Sequence, residues 1–210
     1  ATISDTSIAA SVLNTLNSNV PGAINASSVQ TLTGFAGDMN TVFAAASNSE
    51  IINLTHPAIT LSDTTLAASV LITLNSNTNG LINASSITTL TGTATVVNSV
   101  LTVNSNEISN LGNEIVTLSD TTLAATALNT LNGNTTGVIN TTDVQTLTGT
   151  VSDVNTAYAA SGISNIGDES VTLSDTSTTD SALTTLNRNT TGSLDYSLIL
   201  GKKKSKEYME

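Results

Sequence analysis

Residues 61–93 read LSDTTLAASVLITLNSNTNGLINASSITTLTGT, and residues 118–150 read LSDTTLAATALNTLNGNTTGVINTTDVQTLTGT. The two segments are identical at 22 of 33 positions without a gap, which biased composition alone does not produce over such a length. Ser-Asp-Thr begins at positions 4, 62, 119 and 174, and Thr-Gly recurs with its glycine at positions 34, 92 and 149. Because the two separate landmarks recur at the same spacing, the chain contains an internal repeat.

The repeat divides the chain into units. We predict one continuous array over residues 1–200, with units at about 1–58, 59–115 and 116–170 and a partial unit at 171–200. Residues 201–210 form a charged C-terminal tail. Nothing at Ala1–Ile3 is specialised as a cap, so this end of the array is expected to accept a preceding unit or a neighbouring molecule, as in a segment cut from something longer.

The first half of each unit predicts a short strand followed by a helix. Ile59–Leu61 alternates as a strand, and the oxygens of Ser62, Asp63 and Thr64 suit the free amides of a helix start. The apolar residues that follow recur at i, i+4, i+5 and i+8, which indicates one helical face. In three units these residues are Ile8, Val12, Leu13 and Leu16; Leu66, Val70, Leu71 and Leu74; and Leu123, Ala127, Leu128 and Leu131.

The second half predicts the same order of elements. Leu81–Asn83 begins with a short apolar run, and Ser27 with Gln30, like Thr142 with Gln145, has the spacing of a capping box. A helix is then predicted through Val144, Leu147, Val151, Val154 and Tyr158, with a kink or break at Gly149 and an end near Gly162. Asn83 with Ser85, and Asn140 with Thr142, are interpreted as helix caps.

Strands and helices that alternate at these spacings allow parallel pairing, because each crossover exceeds a dozen residues. The predicted fold class is therefore an α/β repeat, a right-handed β/α solenoid with short parallel strands joined into one sheet and with helices outside. The alternative is an all-α solenoid in which the short apolar runs are extended linkers between helices.

Composition limits the chemistry. Of 210 residues, 39 are Thr and 24 are Asn, aromatic residues are 2%, and Cys and Trp are absent, so the core must be Leu, Ile, Val and Ala. Charged residues are only 10%, which together with 39% hydrophobic residues indicates an ordered, neutral-polar protein. Without Cys there is no disulfide framework and no thiolate, and no apolar run has the length of a membrane-spanning helix.

The net charge of −11 is unevenly distributed along the chain. The four lysines (Lys202, Lys203, Lys204, Lys206) follow a body in which Arg188 is the only cation against 14 acidic residues. Such a body repels phosphate backbones and anionic membranes, which argues against nucleic-acid binding and membrane insertion. Tyr196, Leu198, Ile199 and Leu200 with these lysines are interpreted as a cover for the last unit, the alternative being a disordered tail.

Asparagine occupies the most regular polar positions: Asn17, Asn75, Asn132 and Asn187, and two residues later Asn19, Asn77, Asn134 and Asn189. We interpret them as amide bridges between successive turns, the alternative being a polar ladder for a carbohydrate or mineral lattice. The sequons at Asn25, Asn53, Asn83, Asn134, Asn140 and Asn189 are explained by composition, with helix caps favoured at Asn25, Asn83 and Asn140.

No catalytic, cofactor-binding or metal-ligating residue is predicted. The repeated aspartates (Asp5, Asp63, Asp120, Asp175) lack the neighbouring carboxylates of a calcium loop and are interpreted as helix caps. Asp38 and Asp153 share a register that Val96 fills in the second unit, which indicates a solvated helix face. The sole histidine, His56 before Pro57, is interpreted as a loop residue, and neither a Gly-x-Ser-x-Gly motif nor a phosphate loop occurs, so the chain is predicted not to be an enzyme.

Three motifs carry a resemblance: Val171 to Thr176 (VTLSDT), Leu128 to Asn132 (LNTLN) and Thr146 to Gly149 (TLTG). The block resembles repeats of very large surface or secreted proteins of marine bacteria, notably cyanobacteria, and of their phages. The resemblance covers residues 1 to about 195 and departs at Asn48 to Pro57 and after Tyr196. It implies an extracellular or cell-surface location and no catalytic residue.

The resulting hypothesis is a non-catalytic spacer or adhesin stalk whose partners are adjacent repeats of the same chain. The alternatives are a ligand-binding solenoid, with surface glycans as partners, and a phage structural or fibre protein. A binder would concentrate aromatic residues or charges on one face, whereas Phe35, Phe43, Tyr158 and Tyr196 do not align in the repeat, which favours the spacer.

Overall fold

The structure, a computed structural model, describes residues 1–199. Within them, short parallel strands alternate with helices in an α/β solenoid-like repeat fold. These residues divide into two compact units, one of Ala1–Leu90 with Val100–Leu111 and one of Thr91–Ser99 with the described residues from Gly112 onward. The predicted array over residues 1–200 stays a prediction.

Seven helices lie in the described part of the chain: α1 (Ala10–Asn19), α2 (Ala36–Ser47), α3 (Ala68–Asn77), α4 (Ala94–Leu101), α5 (Ala125–Asn134), α6 (Val151–Ala159) and α7 (Asp180–Asn189). The strands are β1 (Ser7–Ala9), β2 (Ile24–Asn25), β3 (Thr31–Gly34), β4 (Ile51–Ile52), β5 (Ala58–Leu61), β6 (Thr65–Ala67), β7 (Ile82–Asn83), β8 (Thr89–Gly92), β9 (Ile108–Ser109), β10 (Ile115–Leu118), β11 (Thr122–Ala124), β12 (Ile139–Asn140), β13 (Thr146–Gly149), β14 (Ile163–Ser164), β15 (Ser170–Leu173) and β16 (Leu194–Asp195).

In the first compact unit, five strands form a parallel sheet in the order β1-β3-β5-β7-β9. The paired central residues form one apolar column: Ile8, Leu32, Ile59, Ile82 and Ile108. Ile24 of β2 pairs separately with Ile51 of β4. Since neighbouring strands of the sheet are separated in sequence by about half a repeat, each repeat contains two turns, each with one helix.

The second compact unit repeats this arrangement. Strands β11, β13, β15 and β16 pair in that order, and their buried column is Leu123, Leu147, Val171 and Leu194. Strands β10, β12 and β14 align Val116, Ile139 and Ile163. Polar residues lie on both sides of the apolar column in β13 and β15, which is the period-two pattern of a sheet with one buried face.

The helices cover the buried face of the strands and pack on one another. Helix α2 contacts α1 and α3 in the first unit, and α6 contacts α5 and α7 in the second. Small and branched aliphatic residues fill the space, as the fully buried Ala68, Leu71 and Leu74 of α3 show. This aliphatic core agrees with the composition.

The pairing of the short runs confirms the α/β fold class and excludes the all-α alternative. Ile59–Leu61 and Leu81–Asn83 fall on β5 and β7, which pair in parallel as predicted. The prediction of a single sheet was wrong, because the strands fall into separate sheets. Strands β6 and β11 lie where the sequence predicts the start of a helix.

The helices predicted for both halves of a unit begin too early in the sequence. Thr146–Gly149 (TLTG) is strand β13, not the middle of a helix, and the helix spans only Val151–Ala159. Thr65–Ala67 is strand β6, so α3 begins at Ala68 rather than directly after the Ser-Asp-Thr triplet. Leu66 and Leu147 fit a helical spacing, but both are buried side chains of strands. An apolar spacing of four residues also arises where a strand passes directly into a helix, so the spacing alone did not distinguish the two.

The capping boxes were wrong for the same reason. Ser27 and Gln30 precede strand β3, and the Ser27 amide donates to Asn25 Oδ1 at 3.1 Å in a side-chain turn.

At the C-terminal end of the described residues, Tyr196 and Ile199 are buried and Leu198 is exposed. The predicted roles of Leu200 and of the four lysines lie outside the described residues.

Candidate functional site

The repeated aspartates cap helices of the preceding turn. Asp63 Oδ2 accepts the backbone amide of Ala36, the first residue of α2, at 2.9 Å. Asp120 does the same for Ala94 of α4, and Asp175 for Val151 of α6, both at 2.7 Å. The prediction that these residues cap the helix that follows them was therefore wrong, although the carboxylate does satisfy a helix N-terminus.

The glycine that ends each TLTG strand allows the aspartate to reach the first amide of the helix. Gly34, Gly92 and Gly149 end the TLTG strands with φ of 126°, 143° and 152°, a region that side-chain-bearing residues rarely adopt. Their carbonyls accept the amides of Ser62, Ser119 and Ser174, each one residue before the capping aspartate. The Ser-Asp pair thus binds both sides of a strand-to-helix turn that lies about half a repeat earlier in the sequence.

The predicted asparagine bridges connect turns, but not in the expected pairs. Asn77 donates to Asn40 Oδ1 at 3.0 Å, and Asn134 donates to Asn98 Oδ1 at 2.6 Å. Asn17 and Asn75 instead donate to Glu50 and Glu107, at 2.8 and 3.0 Å. These four asparagines therefore bond a different position of the next or preceding turn rather than their own equivalents. The other four of the predicted set make no such side-chain bond among residues 1–199: Asn19, Asn132, Asn187 and Asn189.

A second set of asparagines was not recognised in the sequence. Asn53, Asn110 and Asn165 adopt φ of 61°, 64° and 58° and donate to Asn25, Asn83 and Asn140 at 3.1, 2.9 and 2.9 Å. The acceptor oxygens of Asn83 and Asn140 also close turns with the amides of Ser85 and Thr142. These bonds replace the predicted helix caps. The recurring Asn directly after a two-residue strand that begins with Ile is the signal that could have identified them.

Two buried glutamates were also missed. Glu114 and Glu169 hold equivalent positions in successive repeats and are 1% and 4% exposed. Glu169 accepts the amide of Gly167 at 2.8 Å and the hydroxyl of Tyr158 at 2.6 Å, whereas Glu114 Oε1 has no hydrogen-bond partner. Burial, and then the hydrogen bond to Glu169, raise the pKa of Tyr158 above its usual value. The two hydrogen bonds of Glu169 hold a tight turn to α6, and we call this pair of residues the Tyr158–Glu169 clamp.

The remaining candidates lie apart. His56 is exposed in a loop with φ of 45°. Asp153 accepts the Thr150 hydroxyl at 2.6 Å and donates its amide to the same oxygen, which caps α6 from within its own turn. Among residues 1–199, no group of three or more His, Cys, Asp or Glu side chains is arranged to hold a metal ion.

Two surfaces have shape or periodicity. An open groove of about 700 Å³ runs along α6 and α7, lined by Val151, Asn155, Thr156 and Thr178 among others. The solvent face of the β11-β13-β15 sheet aligns hydroxyls in two columns, one of Thr122, Thr146 and Ser170 and one that includes Thr148 and Thr172. Neither surface carries a basic or aromatic side chain among these residues.

Comparisons with protein-family models, with curated proteins and with solved structures found no match to this chain. In the part of the chain that the structure describes, no helix combines the length and apolar character needed to cross a membrane.

Proposed function

We propose that this chain is a non-catalytic structural segment of an extracellular or cell-surface protein, where it acts as a spacer or adhesin stalk. The observation that carries the proposal is the use of the repeated Asp63, Asp120 and Asp175. Each of these carboxylates is bound to a helix amide of the preceding turn. The most regular acidic groups of the chain therefore hold turns together.

The repeated amide side chains support the same function. Asn77, Asn134, Asn110 and Asn165 also bond between turns. A protein whose recurring polar residues are engaged in stacking has a length set by its number of repeats. Such a length is what a spacer requires.

The test is to insert a second copy of residues 59–115 directly after residue 115. Because each repeat contributes two turns and parallel strands lie about 4.8 Å apart, the maximum dimension from small-angle X-ray scattering should rise by about 10 Å. A control chain carries an inserted Gly/Ser segment of the same length, which adds flexible coil and lowers the melting temperature. An unchanged maximum dimension with full helical content would contradict the spacer.

The second candidate function is glycan binding, favoured by the hydroxyl columns on the β11-β13-β15 sheet. Uncharged hydroxyls at strand spacing can exchange hydrogen bonds with sugar hydroxyls. A glycan array with the chain and with a Thr148→Val, Thr172→Val double variant separates the two functions. Binding that the double variant loses would support the glycan site, and an absence of binding to all glycans would leave the spacer.

A further inference from the structure

Helix α1 has an open groove on a face that its equivalents bury. The groove has a volume of about 340 Å³ and is lined by Ser11, Val12, Thr15, Leu16 and Asn19. Val12 is 55% exposed and Leu16 is only half-buried. By contrast, Leu74, Leu131 and Leu186, which occupy the Leu16 position in α3, α5 and α7, are fully buried.

The rest of the chain shows what fills this groove. Helix α3 uses the same face against α2, and α7 uses it against α6. Asn77 of α3 donates across the contact to Asn40, the fifth residue of α2, and Asn134 of α5 donates to Asn98, the fifth residue of α4. Asn19 is their equivalent and has no side-chain hydrogen bond among residues 1–199. Asn189 of α7 lacks the bond as well, and Asn155 Oδ1, the corresponding acceptor on α6, has no partner, so the amide bond accompanies the helix contact at α3 and α5 but not at α7.

Two polar groups beside α1 complete the pattern. Asp63 caps the first amide of α2, and the Ser62 amide donates to the Gly34 carbonyl at 2.9 Å. Asp5 and Ser4 hold these positions in the first repeat, where Asp5 is exposed and neither makes the corresponding bond within the described residues. The N-terminal face therefore presents an acceptor, a backbone donor, an apolar groove and an amide donor in the arrangement that elsewhere receives one turn.

We propose that Ser4, Asp5, Val12, Leu16 and Asn19 form a docking site for a strand–glycine–helix turn of this same repeat type. The partner chemistry follows from the internal contacts: a Thr-Leu-Thr-Gly strand whose glycine carbonyl accepts the Ser4 amide, and a helix whose first amide donates to Asp5. Its fifth helical residue is Asn, which accepts from Asn19. The site is thus specific for the second half of a repeat unit, and this holds whether or not the chain is a spacer.

The test places a copy of residues 116–170 directly before Ala1 of the full chain, so that the α6 sequence precedes α1 in register. Amide hydrogen exchange along α1 should slow at least about tenfold, because the groove becomes covered. The decisive variant is Asp5→Ala. In the chain without the added copy, here called the parent, this variant should leave the equilibrium constant of unfolding unchanged. In the extended chain it should raise that constant about tenfold, as loss of a helix cap does.

Asp63→Ala is the matched control, since its cap exists in both chains and should weaken both equally. An Asp5→Ala effect that is equal in the two chains would overturn the proposal. The same extension can be made with a copy of residues 1–58 in place of residues 116–170. If circular dichroism shows no added helix in either extended chain, the proposal is also overturned, because docking on α1 should order the added unit.

A second copy of the chain is the competing occupant. If the parent self-associates in sedimentation, and Leu16→Asp abolishes the association whereas Asp5→Ala leaves it intact, the groove packs on another α1 and not on a strand–glycine–helix turn, and the proposal is wrong. A monomeric parent together with the chain-specific Asp5→Ala effect would support it. The spacer function is tested separately by the internal insertion, so the two proposals can fail independently.

Discussion

At the scale of single residues, one repeated carboxylate decides how turns are joined. Asp120 accepts the amide of Ala94, which is 1% exposed and has no intrahelical partner. The bond therefore satisfies a buried donor that water cannot reach. Its partner lies almost half a repeat away in sequence, so the energy of the cap stabilises tertiary structure rather than a local helix.

We predict that Asp120→Ala lowers the free energy of unfolding by about 1–2 kcal/mol, because the Ala94 amide loses its acceptor. Asp120→Asn should cost only a small part of that, since an amide oxygen also caps. Urea unfolding measures both, with Asp5→Ala as a control that should change nothing. A large loss in Asp120→Asn that calcium addition reverses in the unmodified chain would instead point to a metal site.

The Tyr158–Glu169 pair gives a prediction with a pH signature. Tyr158→Phe leaves Glu169 Oε1 in the state of Glu114 Oε1, buried without a donor, at a cost of about 1–3 kcal/mol. Because the folded chain raises the pKa of Tyr158 from 10.0, the unfolded chain releases this proton first. The stability contributed by the neutral phenol is therefore complete below pH 10 and falls above it.

Chemical unfolding from mildly to strongly alkaline pH should show this fall in the parent and a weaker one in Tyr158→Phe. The difference between the two chains removes the contribution of the other titrating groups. Parallel curves for the two chains would contradict the clamp.

At the scale of elements, two neighbouring glycines have different roles: one only lowers the helix propensity of α5, and the other allows close packing of the backbone. Gly133 lies on the exposed side of α5 with no atom within 4 Å of an added Cβ, whereas a Cβ on Gly137 would overlap the carbonyl of Glu114. Gly80 and Gly192 approach the carbonyls of Pro57 and Glu169 in the same way. The turns that contain these three glycines thus require glycine, because a backbone carbonyl lies too close to leave room for a side chain.

We predict that Gly133→Ala raises the free energy of unfolding by about 0.5–1 kcal/mol and that Gly137→Ala lowers it by at least about 2 kcal/mol. Differential scanning calorimetry should show melting temperatures displaced in opposite directions. Equal shifts of the two variants would mean that the close approach at Gly137 is absent.

The helix faces give a second element-scale prediction. Leu131→Ala should cost about 2–5 kcal/mol, because Leu131 is fully buried and its loss leaves a cavity. Leu16→Ala, at the equivalent position of the open groove on α1, should cost less than half as much. Denaturant midpoints of the two variants compare them directly, and equal losses would show that α1 is covered in solution.

At the scale of the whole molecule, cohesion within each compact unit rests on aliphatic burial, strand pairing and hydrogen bonds. The sequence carries 16 acidic residues, and no cluster of three metal-binding side chains occurs within residues 1–199. We therefore predict that excess EDTA leaves the melting temperature unchanged, and that millimolar calcium does not raise it. A fall of several degrees with EDTA would mean that a cation holds the turns together.

The sequence by itself determined the repeat, its period and the aliphatic core, and it favoured an alternation of strands with helices over the all-α alternative. Those features depend on local periodicity and composition, which are properties of a single chain segment. It also identified Asp63 and Asn77 as structural side chains, because repetition at a fixed register marks residues with a shared environment. It could not identify their partners.

Only the tertiary structure decided that TLTG is a strand, that Asp63 caps α2 and that Glu169 binds Tyr158. Leu147 suits a helical face and a strand equally in sequence, and parallel pairing with Leu123 and Val171 makes the choice. The physical reason is that strand hydrogen bonds and these caps form between residues that lie far apart in sequence, so their energy exists only once successive turns are stacked.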